Sequence, residues 1–230
     1  MSHIKHTVNQ FISITNLIQK ETIDDNDLTN IFNGLNVIIE IVERIRLKDT
    51  EINFYWNEII SELIAVIYSS ISGHNRLSTT GLRNILELSC HAFFYYDHKI
   101  ELRLSINENE KADKYVSSLI RDFDFFTTKY IKTFYDKISD LESKPDSISD
   151  FLKIEYGKLC DVVHGRHASL TKQSILEIKY SKSDFKKFEN HFQNVISLIS
   201  IMYIIRFDDF TDLSIMNAAK KNNLIILKHE

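Results

Sequence analysis

A chain of 230 residues with one proline and five glycines has few places to turn. Strand-rich folds draw on these residues at their reversals, because glycine reaches left-handed backbone at little cost and proline presets a turn, whereas long helices exclude both. The shortage disfavours a turn-rich all-β fold and favours long helices. With 43% hydrophobic and 26% charged residues, the balance is that of a globular protein. The expected class is all-α. We read a bundle of about six to eight helices in a single domain over 1–230, with N-terminal helices in 1–72, polar-segment helices in 78–170 and C-terminal helices in 183–230.

Helical periodicity supplies the elements. A first helix over about 4–21 sets Ile4, Val8, Phe11, Leu17 and Ile18 on one face. Asp24, Asp25 and Asn26 then offer capping oxygens to a second, over about 27–47, and the two are expected to form a hairpin. Thr50 and Glu51 open a third helix through Trp56, Leu63 and Ile67, which Gly73 ends. Ser78 or Thr79 caps a fourth, and one long amphipathic helix is expected over about 109–139. After Pro145, Asp146 or Ser147 caps a helix that stops near Gly165. Residues 174–180 alternate like a short strand or an extended linker. Ser183 caps a final long helix to about 207, with Phe188, Phe192, Val195, Leu198, Ile199 and Met202 facing a core, and a short helix follows over about 211–221.

The net charge of −4 and a pI near 6.1 mean that nucleic acid would have to be held by a local basic patch. Cys90 and Cys160 sit in apolar helical stretches as small packing residues and make neither a disulfide framework nor a zinc spacing. The polar start MSHIKHTVNQ is unlike a signal peptide, and the longest apolar run, Val195 to Ile205, is too short to span a bilayer. We expect a cytoplasmic protein with no membrane partner, no cofactor and no metal. His91 and His98 lie two turns apart without a carboxylate or thiol at ligand spacing, and are read as surface residues.

Two segments concentrate the polar chemistry. Arg83 and Glu87, four residues apart, share one face of an otherwise apolar helix. They make either a structural salt bridge or one wall of a polar cleft, with Glu87 orienting Arg83 towards an anion. In YGKLCDVVHGRHASL, the residues Tyr156, Lys158, Asp161, His164, Arg166 and His167 crowd a helix end. Tyr156, Asp161 and His164 can share a stripe, and a carboxylate beside an imidazole prepares it for proton transfer. Arg166 is suited to neutralising a phosphate, and basic residues at a helix C-terminus also simply favour its dipole. Phosphate-cradling glycine loops, a nucleophile elbow and HExxH are all missing from the sequence.

The pairing of LRNILELSCHAFFYYDHK with the later YGKLCDVVHG resembles bacterial helical proteins of the HEPN superfamily, including abortive-infection-like families. Arg83 and Glu87 match an Arg-x-x-x-Glu helix, and Tyr156, Leu159, Val163, His164 and Gly165 match the second segment. The resemblance implies a HEPN-like helical bundle, commonly a homodimer. It implies an effector or accessory protein of antiviral defence, abortive infection or a toxin–antitoxin system, with RNA or a protein of the same system as partner. As an RNA-binding, metal-independent endoribonuclease, the chain would use His164, Arg83, Glu87, Tyr156 and Arg166 in catalysis and Lys158 and His167 in substrate binding. The alternative is a non-catalytic helical module that dimerises and binds a partner protein. Catalytic members carry an Arg followed at four to six residues by His. No Arg here precedes a His at that distance, and Lys158 before His164 is the nearest substitute.

Overall fold

The computed structural model describes residues 2–108, 116–138, 144–163 and 180–224. Among them are ten helices and no strand: α1 (Ser2–Asp25), α2 (Thr29–Arg46), α3 (Asn53–Ile71), α4 (Asn75–Asp97), α5 (Lys99–Glu108), α6 (Val116–Phe123), α7 (Thr128–Ile131), α8 (Ser147–Val163), α9 (Lys182–Phe207) and α10 (Leu213–Lys220). The all-α expectation holds, and the count exceeds six to eight because the chain between α4 and α8 is cut into short pieces.

The long apolar run belongs to α9, buried on every side from Asn194 to Ile205. A helix apolar all round belongs in the middle, and α9 is the spine on which α2, α4, α8 and α10 pack. α3 and α4 form the most extensive helix pair and cover one side of it. Close approach has a local cause at Gly34 of α2, where a Cβ would stand 2.6 Å from Phe192 Cε1 of the spine. Gly73 takes φ +81° just past the end of α3, the left-handed conformation expected of a terminating glycine.

Several boundaries differ from the sequence reading for physical reasons. α1 runs through Asp24 and Asp25 to its end, so these do not cap α2; Asp27 Oδ1 accepts from the Thr29 N–H instead. α1 packs on α3 and α9 rather than pairing with α2 as a hairpin. Of its predicted face only Ile18 is buried; Ile4, Val8, Phe11 and Leu17 are exposed. Ser78 and Thr79 lie inside α4, their hydroxyls bonded back to the His74 and Asn75 carbonyls one turn earlier, so neither is a cap. The expected long helix over 109–139 is broken at Asp124 and Phe126, which take φ of 51° and 52°. Burial of the Phe125 and Phe126 rings holds that strained turn in place. Ser181 rather than Ser183 caps α9, accepting from the Asp184 N–H. Of the expected strand over 174–180, only Tyr180 is described, and it is not in a strand.

No helix among the described residues is long and apolar enough to cross a membrane.

Candidate functional site

α8 lies in the seam between α4 and α9, and successive residues of α8 serve the two neighbours. Side chains advance about 100° per residue around a helix, so Glu155 and Tyr156 look to different flanks. Tyr156 turns towards α4 and Glu155 towards α9.

On the α4 flank, the two sequence motifs meet. The Tyr156 hydroxyl donates to Glu87 Oε1 at 2.6 Å, and Arg83 Nη2 donates to the same carboxylate oxygen at 2.8 Å and to the Tyr156 hydroxyl at 3.3 Å. The guanidinium carbon also stands 5.6 Å from the centre of the Tyr156 ring, within range of a cation–π contact. Burial pushes the Tyr156 hydroxyl well above its ordinary range, and the Glu87 carboxylate adds to the effect, so it remains a donor at physiological pH. Burial works against the charge on Arg83, but Tyr156 and Glu87 outweigh it and hold the guanidinium firmly cationic. Arg83 Nε is buried and has no partner among the described residues. Cys90, one turn from Glu87 on α4, is wholly buried, and burial raises its thiol far beyond reactivity. Cys160, expected as a buried packing residue, is only half-buried.

The α9 flank holds a group that the sequence reading missed. Glu155 is fully buried, and both its oxygens are engaged: Oε1 with His191 Nδ1 at 2.5 Å, Oε2 with Asn194 Nδ2 at 3.1 Å and Lys158 Nζ at 3.5 Å. A signal was present. Ile148, Leu152, Glu155 and Leu159 form one helical stripe, and a carboxylate in the place of a core aliphatic demands a polar partner. Lys158, grouped with Tyr156 in the sequence reading, stands on this flank instead. His164, Arg166 and His167 lie outside the described residues. Asp161 is half-buried on the last turn of α8.

Other polar clusters tie helices together. Arg206 donates to Asp97, stacks over Tyr96 and Phe134, and shares Asp97 with the Tyr130 hydroxyl, which joins α4, α7 and α9. His98 closes α4 with Nδ1 at 2.8 Å from the Phe94 carbonyl and stacks on the Phe94 ring, so it is a partly covered capping residue rather than a surface one. An open cleft of about 720 Å³ between α2, α9 and α10 is lined by Asn33, Asn36, Gln193, Asn217, Lys221 and Ile196 among others. Its lining mixes these amides with the carboxylates of Glu40 and Asp212 and the ammonium of Lys221, and no histidine lines it among the described residues.

No family model matches the chain, and no curated protein or solved structure matches it.

Proposed function

We propose that the chain is a HEPN-like effector or accessory protein of a bacterial anti-phage defence or toxin–antitoxin system, acting on RNA as a metal-independent endoribonuclease. The observation that supports this reading most directly is the meeting of its two motifs: Tyr156 and Glu87, 69 residues apart, share a 2.6 Å hydrogen bond that also involves Arg83. In this reading, a 2′-hydroxyl attacks the adjacent phosphate while His164 moves a proton and Arg83 or Arg166 offsets the developing charge. The test is cleavage of end-labelled RNA by purified protein in EDTA. The expected products are 2′,3′-cyclic phosphate and 5′-hydroxyl ends, with the rate falling about 100-fold or more in His164→Ala and Arg83→Ala. Cleavage that appears only when a divalent metal is added, or that survives both changes, would overturn it.

A second reading, a non-catalytic module that dimerises and binds a partner protein, draws on α1. Ile4, Val8, Phe11, Ile12, Ile14 and Leu17 leave an exposed apolar row on that helix. In that case the His164 variant keeps full biological effect, whereas Phe11→Asp with Leu17→Asp abolishes self-association in sedimentation velocity.

A further inference from the structure

Every residue of α1 from Ile4 to Ile14 is exposed, a stretch of about 16 Å at the rise of an α-helix. The helix is fastened further on, where Gln19 Nε2 donates to Ser72 Oγ and Ile18 packs beside Gly73. Residues seven apart share a helical face, so Ile4, Phe11 and Ile18 form one stripe. Exposure along it falls from 72% at Ile4 and 54% at Phe11 to 2% at Ile18, so a stripe that is core at one end is bare at the other. A helix of this length is marginal in water without a packed face. Charge indicates what covers it. No Asp, Glu, Lys or Arg stands between Lys5 and Lys20, whereas Glu21, Asp24 and Asp25 follow. The polar side of the bare stretch therefore lacks the basic residues with which a surface-bound helix meets phospholipid headgroups. The cation lies near the N-terminus and two carboxylates lie in the last turn, both against the helix's own dipole. A neighbouring helix running the other way reverses both mismatches.

We infer that two copies of this chain pair through α1, antiparallel, about a two-fold axis between Ile12 and Ser13. This rests on the self-associating reading above, to which it adds the partner, the orientation and the register. Ile4, Phe11 and Ile14 follow the seven- and three-residue spacing of a helix-pairing seam. In this register Phe11 of each copy meets Ile14 of the other, so the two central layers of the seam are apolar, with Leu17 at their flank. Ile4 comes level with Glu21 of the second copy, and Lys5 lies within a turn of that copy's Glu21 and Asp24. The bare half of each helix is then laid beside the fastened half of the other. That half has a free side to receive it, because Leu17, Glu21, Asp24 and Asp25 are exposed while Ile18 and Thr22 face their own bundle. A parallel pair would instead set Lys5 against Lys5 and three carboxylates against three.

Orientation is tested by disulfide cross-linking of the full-length protein carrying Cys160→Ser, Cys90 being buried. Ile4→Cys with Glu21→Cys in one chain is expected to give covalent dimers on mild oxidation, and each single variant is expected to give none. The two positions lie roughly 25 Å apart along one helix, so a bond between them must join two chains. In sedimentation velocity, Lys5→Glu alone and Glu21→Lys alone should each raise the dimer Kd about fivefold, since each disturbs two exposed ion pairs per dimer, and the two changes together should restore it. All these positions are exposed, and melting by circular dichroism should stay near wild type. Suppose Phe11→Asp with Leu17→Asp abolishes the dimer but the double-cysteine protein gives no covalent dimer, or Ile4→Cys alone gives one. The antiparallel pairing then fails while the self-associating reading stands. A wild type that is monomeric at about 100 μM overturns both, whether or not it co-sediments with phosphatidylserine vesicles.

Discussion

The Tyr156 hydroxyl donates to Glu87 and accepts from Arg83, so its removal breaks two bonds and leaves two charged groups short of a partner in a mostly covered site. A lost partner for a charged, partly buried group costs about 1–3 kcal/mol, so Tyr156→Phe should lower the unfolding free energy by that much in urea denaturation. A double-mutant cycle with Glu87→Gln should return a coupling of about 0.5–3 kcal/mol. Simple additivity would mean that the three groups act independently and that the flank is not one unit. This cluster was legible before the fold was known, because Arg83 and Glu87 stand one turn apart in an apolar helix and a guanidinium there must be paired. The pairing with Tyr156 came from a likeness of motifs, not from spacing, since no local period links residues 73 apart. Glu155 was less visible because its partners His191 and Asn194 lie on another helix, and only the interrupted aliphatic stripe marked it.

At the scale of the helix, α8 carries a weakness that its sequence announces. Gly157 lies well inside Ser147–Val163, where the backbone loses more conformational freedom on folding than at any other residue type. With nothing within 4 Å of an added Cβ, Gly157→Ala should stabilise the protein by about 0.5–1 kcal/mol, a rise of roughly 1–4 °C in Tm by differential scanning calorimetry. A fall in Tm would show that the position is more crowded than its surroundings indicate. The long helices α2, α3, α4 and α8 were readable because an apolar stripe at helical spacing runs along each of them, and α9 because its apolar run is too long for a single strand and free of glycine and proline. The stretch from Val116 to Ile131 was not, since its hydrophobic residues keep a helical rhythm through a turn made by two non-glycine residues at positive φ. Local propensity argues against such a turn, and only burial of the Phe125 and Phe126 rings in the tertiary structure supports it. For the same reason periodicity misjudged α1, whose apolar row predicts a buried face that its packing on α3 and α9 largely leaves exposed.

For the whole molecule, the question is how a spine buried in mid-chain is joined to the helices at both ends. Arg44 of α2 donates to Glu40 on its own helix, to Asp209 just past the end of α9 and to Asp212 at the start of α10, so one side chain clips three elements together. Burial raises the Asp209 carboxyl, but donors from Thr211, Tyr203 and Arg44 outweigh it and hold the group well below the ordinary carboxylate range. The sign of the pH dependence follows. A carboxyl depressed in the folded state contributes its stability in full above its unfolded pKa of about 3.9 and loses it as pH falls through the folded value. Asp209→Asn should therefore be less stable than wild type by about 1–3 kcal/mol at neutral pH, since it leaves Arg44 and the Tyr203 hydroxyl short of an acceptor. Most of that difference should persist to about pH 5 and shrink steadily below about pH 4. Urea titrations of both proteins from pH 7 to pH 2 measure it. Two parallel stability curves, with an offset that does not narrow in acid, would show that Asp209 contributes through packing and neutral hydrogen bonding rather than through its charge. Curves that converge would place the Arg44 clip among the first contacts to be lost on acidification, ahead of the aliphatic core of α9.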